Sequence, residues 1–127
     1  MPKPGETGIK RVYRGTIYSW QGLSATWRYE SAFRQECMLA LLLTPVAFWL
    51  AEDAIQLILL VGVMALVLVV ELMNSAIEAV VDRISDEVHE LAGRAKDQGS
   101  AAVFITLALA VFTWGAIMTE NLTRQGS

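Results

Sequence analysis

The amino-acid sequence predicts an all-α membrane protein, with an amphipathic surface helix followed by three transmembrane helices. Three observations lead there. The chain is 54% hydrophobic and only 18% charged over 127 residues, whereas soluble domains run at ~45–50% and ~25%. The charges are also segregated: residues 37–51, 54–70 and 98–119 contain no Asp, Glu, Lys or Arg. Finally, six of the ten Lys and Arg residues precede position 35, which places a basic segment ahead of the first apolar run.

Taken in order, residues 1–7 hold two prolines and a glycine and read as a loose tail. Over 8–29, Ile9, Val12, Tyr13, Ile17, Trp20, Leu23 and Trp27 recur at helical spacing, with Lys10, Arg11, Arg14 and Arg28 on the opposite side or its borders. A basic face opposite tryptophans suits a helix lying in the headgroup layer. No apolar signal-peptide core precedes residue 37, so the first membrane segment is expected to stay in the mature chain. Cys37 begins that segment and reads as a small buried apolar residue.

The first transmembrane helix is expected over 32–50, kinked at Pro45, and a tight acidic turn at Glu52-Asp53 leads into the second. The second covers 54–82 and extends beyond its apolar run. A polar connector at 85–98 leads to a third helix over 99–119, and the tail after Glu120 reads as polar and mobile. The third run reaches the ~20 residues that cross a ~30 Å hydrocarbon core; the first two need their flanking turns. The whole chain reads as a single membrane domain. Three basic residues lie between 83 and 96, one follows the last helix, and the 52–53 turn has none. The positive-inside rule then puts the N-terminus and the connector in the cytoplasm.

The chemistry concentrates in the second membrane helix. Glu71, Asn74, Glu78 and Asp82 fall within a sector of roughly 80° at ~100° per residue, forming one polar stripe. Each ionisable group in a membrane helix costs at least ~2.5–3.5 kcal/mol near the centre, so a stripe at one end suggests a site open to water. Interhelical hydrogen bonds holding an oligomer together are the plainer reading. Carboxylates beside phosphate are the usual Mg²⁺ ligands, and a further carboxylate can take a proton from an attacking hydroxyl. The connector, HELAGRAKDQGS, adds Arg94 and Lys96 to neutralise phosphates, with Gly93 and Gly99 to permit close backbone approach. His89 by itself reads as a solvated loop residue. Glu30, Arg34 and Glu36 belong to the same cytoplasmic face, and Glu30 with Arg34 reads equally as a surface ion pair of small value. There is no GxxxxGK[ST] loop, no GxGxxG, no zinc-type Cys/His cluster and no GxSxG. Three thin helices do not wrap a nucleotide and a lipid alone, so a homo-oligomer with shared sites is expected.

The segments YSWQGL (18–23), ESAFRQE (30–36), VELMNSAIEAVVDRI (70–84) and HELAGRAKDQGSAA (89–102) closely resemble the prokaryotic diacylglycerol kinase family, in order and spacing along nearly the whole chain. The resemblance implies a homotrimeric bundle in a bacterial inner membrane. It further implies a lipid kinase that moves the γ-phosphate of ATP to diacylglycerol, with Mg²⁺. Membrane lipids are expected partners and nucleic acid is not. By that similarity Glu71 is the general base and Asn74 orients groups around it. Glu30 and Glu78 hold the metal, while Arg11, Tyr18, Glu30, Glu78, His89, Lys96 and Asp97 form the nucleotide site. Arg11, Arg34, Trp49, Glu71 and Ser100 line the lipid site. Ala92 stands where the family pattern has serine, a change that touches none of these roles. Spacing alone does not divide Glu71 from Glu78 by role. The alternatives are an undecaprenol kinase of the same fold, a small proton-coupled transporter subunit, or a purely structural membrane oligomer.

Overall fold

The computed structural model describes residues 7–84 and 90–126. Among them the chain is entirely helical: α1 (Ile9–Tyr29), α2 (Ser31–Leu50), α3 (Ala54–Ile84) and α4 (Glu90–Gln125). The last three are long and apolar enough to cross a membrane, and the protein is a membrane protein.

α1 buries none of its residues. Val12, Trp20 and Tyr29 stay more than two-thirds exposed, so its apolar side waits for lipid or another chain. It stops at Glu30, whose backbone is extended (φ −118°, ψ 106°). That single residue is the elbow into α2. The last carbonyls of a helix lack intrahelical partners, and here the Arg34 guanidinium turns back to serve them. Its Nη1 donates to the carbonyls of Trp27 at 2.6 Å and Arg28 at 3.1 Å. The Glu30–Arg34 ion pair that the spacing allowed is therefore not formed within 4 Å among the described residues.

α2 runs through Pro45 without interruption. The turn at 51–53 is closed by Asp53 Oδ1, which accepts from the Gln56 amide at 2.8 Å, while Gln56 Oε1 accepts from the Glu52 amide at 2.9 Å. These reciprocal bonds satisfy orphan donors at the start of α3, much as a capping box does.

α3 is the middle of the bundle. Gln56, Leu60, Val63, Met64, Val67, Glu71 and Asn74 are its buried residues, spaced at three and four along one face. Ala47, Leu60 and Ile117 form the core where the three spans meet, with Trp114 packed against them and donating to the Leu60 carbonyl at 3.3 Å. A polar clasp closes the same end. Asn121 is only 2% exposed; its Nδ2 donates to the Leu50 carbonyl at 2.8 Å and Gln56 Oε1 at 3.0 Å, and its Oδ1 accepts from Gln56 Nε2 at 2.9 Å. Arg124 adds ion pairs to Glu52 (3.0 Å) and Glu120 (2.7 Å).

Two boundaries differ from expectation. α4 begins at Glu90, so residues 90–98 of the expected connector are its first turns; Glu, Leu, Ala, Arg and Lys are good helix formers. The residues after Glu120 continue as helix to Gln125, held by Asn121 and Arg124. The tail expected to be mobile after Glu120 is therefore ordered: its polar Asn121 and Arg124 side chains bond to the neighbouring turn.

Candidate functional site

At the end of the bundle away from the 51–53 turn, α3 brings its polar stripe against α4 and the α1–α2 elbow. Glu71 is 6% exposed and Asn74 is 9%, and a buried carboxylate demands compensation. Asn74 Nδ2 donates to Glu78 Oε1 at 3.2 Å, so two stripe residues are joined. One turn further, Asp82 Oδ1 holds the Lys96 ammonium at 2.6 Å across to α4, with the two side chains 62% and 45% exposed. A pair that open contributes only ~0–1 kcal/mol to stability. What it does is tie the Lys96 ammonium on α4 to the end of the α3 stripe.

The carboxylates of Glu30 and Glu78 lie within Coulomb reach of Glu71, and Glu71 within reach of Glu36. Four acidic groups thus gather from the elbow, α2 and α3. Glu36 Oε2, Glu71 Oε2 and Asn74 Oδ1 are buried without a hydrogen-bond partner among the described residues. Concentrated negative charge with orphaned oxygens is a site that wants a cation. No group of three or more His, Cys, Asp or Glu side chains is arranged to hold a metal by itself among the described residues. Two carboxylates with substrate oxygens and waters are nevertheless the ordinary requirement of Mg²⁺, so the donor set fits that ion.

Beside this cluster lies a cavity of about 430 Å³ between α2, α3 and α4. Its walls are apolar, among them Leu39, Leu43, Met64, Val67, Leu107 and Trp114, and among the described residues Glu36 is the one charged lining residue. An apolar cleft with a few polar groups at one end is the usual form of a small-ligand site.

The structure thus unites Glu30, Glu71, Asn74 and Glu78, with Lys96 one turn along. Arg34 sits at the elbow, but its guanidinium serves α1. Asp97 and Ser100 are exposed on the first turns of α4. Arg11 and Tyr18 are exposed on α1, roughly 27 Å and 17 Å along the helix from its C-terminal end at 1.5 Å per residue. Trp49 is 83% exposed and lies roughly 20 Å along α2 from Glu36. None of these three is brought to Glu71 within the chain. His89 lies outside the described residues. Glu36 and Asp82 have roles that the sequence did not assign. Glu36 gave the weaker signal, an acidic residue at the edge of an apolar run. Gly99, expected to face the nucleotide, is buried against Asn74.

The sequence model of the family described as prokaryotic diacylglycerol kinase matches residues 17–118. The chain is 56% identical over 115 residues to the diacylglycerol kinase of Escherichia coli (strain K12), covering 91% of this chain and 94% of that one. It is 51% identical to the diacylglycerol kinase of Haemophilus influenzae over 88% of this chain and 95% of the relative. The diacylglycerol kinase of Pseudomonas aeruginosa is 48% identical, over 92% and 95% of the two chains. With the acidic cluster, the Asp82–Lys96 pair and the three apolar spans in place, the chain belongs to the prokaryotic diacylglycerol kinase family.

Proposed function

We propose that this protein is a lipid kinase that transfers the γ-phosphate of ATP to the hydroxyl of diacylglycerol, forming phosphatidic acid and ADP. The observation that carries the reading is the buried Glu71 carboxylate, one oxygen unpartnered, set near Glu30, Glu36 and Glu78, with Glu36 lining the adjoining apolar cavity.

The lipid tail occupies the cavity and its hydroxyl emerges at Glu36 and Glu71. Glu71 takes the hydroxyl proton as the oxygen attacks the γ-phosphorus, the new P–O bond forms, and the bond to the β-phosphate oxygen breaks. Little covalent work by the protein is needed; phosphoryl transfer is mainly positioning and charge compensation. Asn74 fixes Glu78 through its amide. Asp82 holds Lys96 where its ammonium meets the phosphates. Glu30 and Glu78 are the residues that hold Mg²⁺, which when bound neutralises charge on the phosphate oxygens.

The subunits form a homotrimer in the bacterial inner membrane, with the N-terminus and the start of α4 on the cytoplasmic side, where ATP is. Two features support this: the positions of Lys and Arg, and the uncovered apolar faces of α1, α2 and α4. Arg11 and Tyr18 then complete sites from neighbouring subunits, whereas Trp49, beside the 51–53 turn, lies toward the opposite membrane face.

The decisive measurement is ATP consumption and phosphatidic acid formation by purified protein in mixed micelles, with diacylglycerol present or omitted and with undecaprenol in its place. Turnover that requires diacylglycerol supports the proposal. Preference for undecaprenol, or proton flux without nucleotide use, overturns it.

A further inference from the structure

Gly99 lies in the third turn of α4, in a stretch of helix where alanine would be the better helix former. It is buried, and its neighbour is the Asn74 side chain. A Cβ at this position would overlap the Asn74 amide oxygen and press on its Cγ at 3.2 Å. The α3 backbone is further off, with the Asn74 Cα at 3.9 Å, an ordinary contact. The clash therefore falls on the amide alone. That amide is itself 3.2 Å from Glu78 Oε1 through its nitrogen, so it does not rotate away without releasing the carboxylate. Gly93, Gly15, Gly22, Gly62 and Gly115 have no neighbouring atom within 4 Å of the place a Cβ would take. Gly99 alone among these helical glycines has a reason in packing to be glycine.

We propose that Gly99 is a positioning residue: the bare backbone of α4 holds the Asn74 amide, and through it the Glu78 carboxylate, in the place where the nucleotide's divalent cation is received. This rests on the reading of Glu78 as a cation ligand given above. A neighbour that orients a ligand typically changes metal affinity by ~10–100-fold when it is lost, which sets the size of the effect.

The experiment is a double-mutant cycle read by binding rather than turnover. Mn²⁺ is titrated into the purified, micelle-embedded protein with a non-hydrolysable ATP analogue, and free Mn²⁺ is followed by electron paramagnetic resonance. Gly99→Ala is expected to weaken Mn²⁺ binding about tenfold in the wild-type background and to have no further effect with Asn74→Ala, where the clashing group is gone. Wild-type affinity in Gly99→Ala, or an equal loss in both backgrounds, overturns the proposal. Should Gly99→Ala fail to assemble, Asn74→Ala by itself decides, since it leaves Gly99 untouched. Weakening to the level of Glu78→Gln supports the proposal, and wild-type affinity overturns it. Glu78→Gln is the separate control: if it alone leaves Mn²⁺ binding unchanged, the reading of the cation site fails, not merely the role of Gly99.

Discussion

Glu71 is the residue on which the proposed chemistry turns. Its carboxylate is buried, faces other carboxylates, and leaves one oxygen without a partner. Glu71→Gln keeps the shape and removes the base. Phosphatidic acid formation is expected to fall ~10²–10⁴-fold, the usual contribution of a general base, with nucleotide binding retained; a small change in turnover would remove Glu71 from that role. Glu78→Gln acts differently, because the proposed hard oxygen ligand loses its charge. The Mg²⁺ concentration for half-maximal turnover is expected to rise at least about tenfold, no less than the loss expected when only the orientation of this carboxylate is disturbed, with little change in the rate at saturation. Asp82→Asn loosens the grip on Lys96 and should raise the KM for ATP a few-fold while the KM for lipid stays put.

At the scale of elements, the middle helix has two unlike ends. One carries the acidic stripe; the other is tied to α4 by Gln56 and Asn121. Deleting one partner of a buried hydrogen bond leaves the other unsatisfied, at ~1–3 kcal/mol. Asn121→Ala is therefore expected to lower the unfolding midpoint measurably in a micelle-based denaturation assay, with kcat near wild type because the clasp is far from Glu71. The α1–α2 elbow is a second mechanical point. Arg34→Ala uncovers the carbonyls of Trp27 and Arg28, and faster amide hydrogen exchange in the last turn of α1 should report it.

For the whole molecule, the question is what covers the outside. Leu41, Trp49, Phe104, Val111 and Phe112 are all more than 70% exposed, far more apolar surface than a water-soluble monomer leaves open. Lipid covers part of it and, in the proposed trimer, sister subunits the rest. Light scattering with detergent subtraction is expected to give three copies per particle; a monomer with full activity would contradict shared sites.

Hydrophobic runs, basic ends and the three-four-four spacing of Glu71, Asn74, Glu78 and Asp82 are local properties of the chain. For that reason the helices, their approximate limits and the polar stripe were legible before any coordinates. Membrane solvent enforces this legibility, since every backbone group must be bonded within its own segment. What the tertiary structure decided are the pairings. Arg34 serves α1 rather than Glu30, Asp82 holds Lys96, Asn121 reaches the Leu50 carbonyl, and Glu36 lines the cavity within electrostatic reach of Glu71. Gly99 meets Asn74 rather than a phosphate. Such choices depend on how far apart two helices settle and how they are rotated. Those quantities come from the sum of many side-chain contacts across the bundle, and no periodicity within one helix contains them.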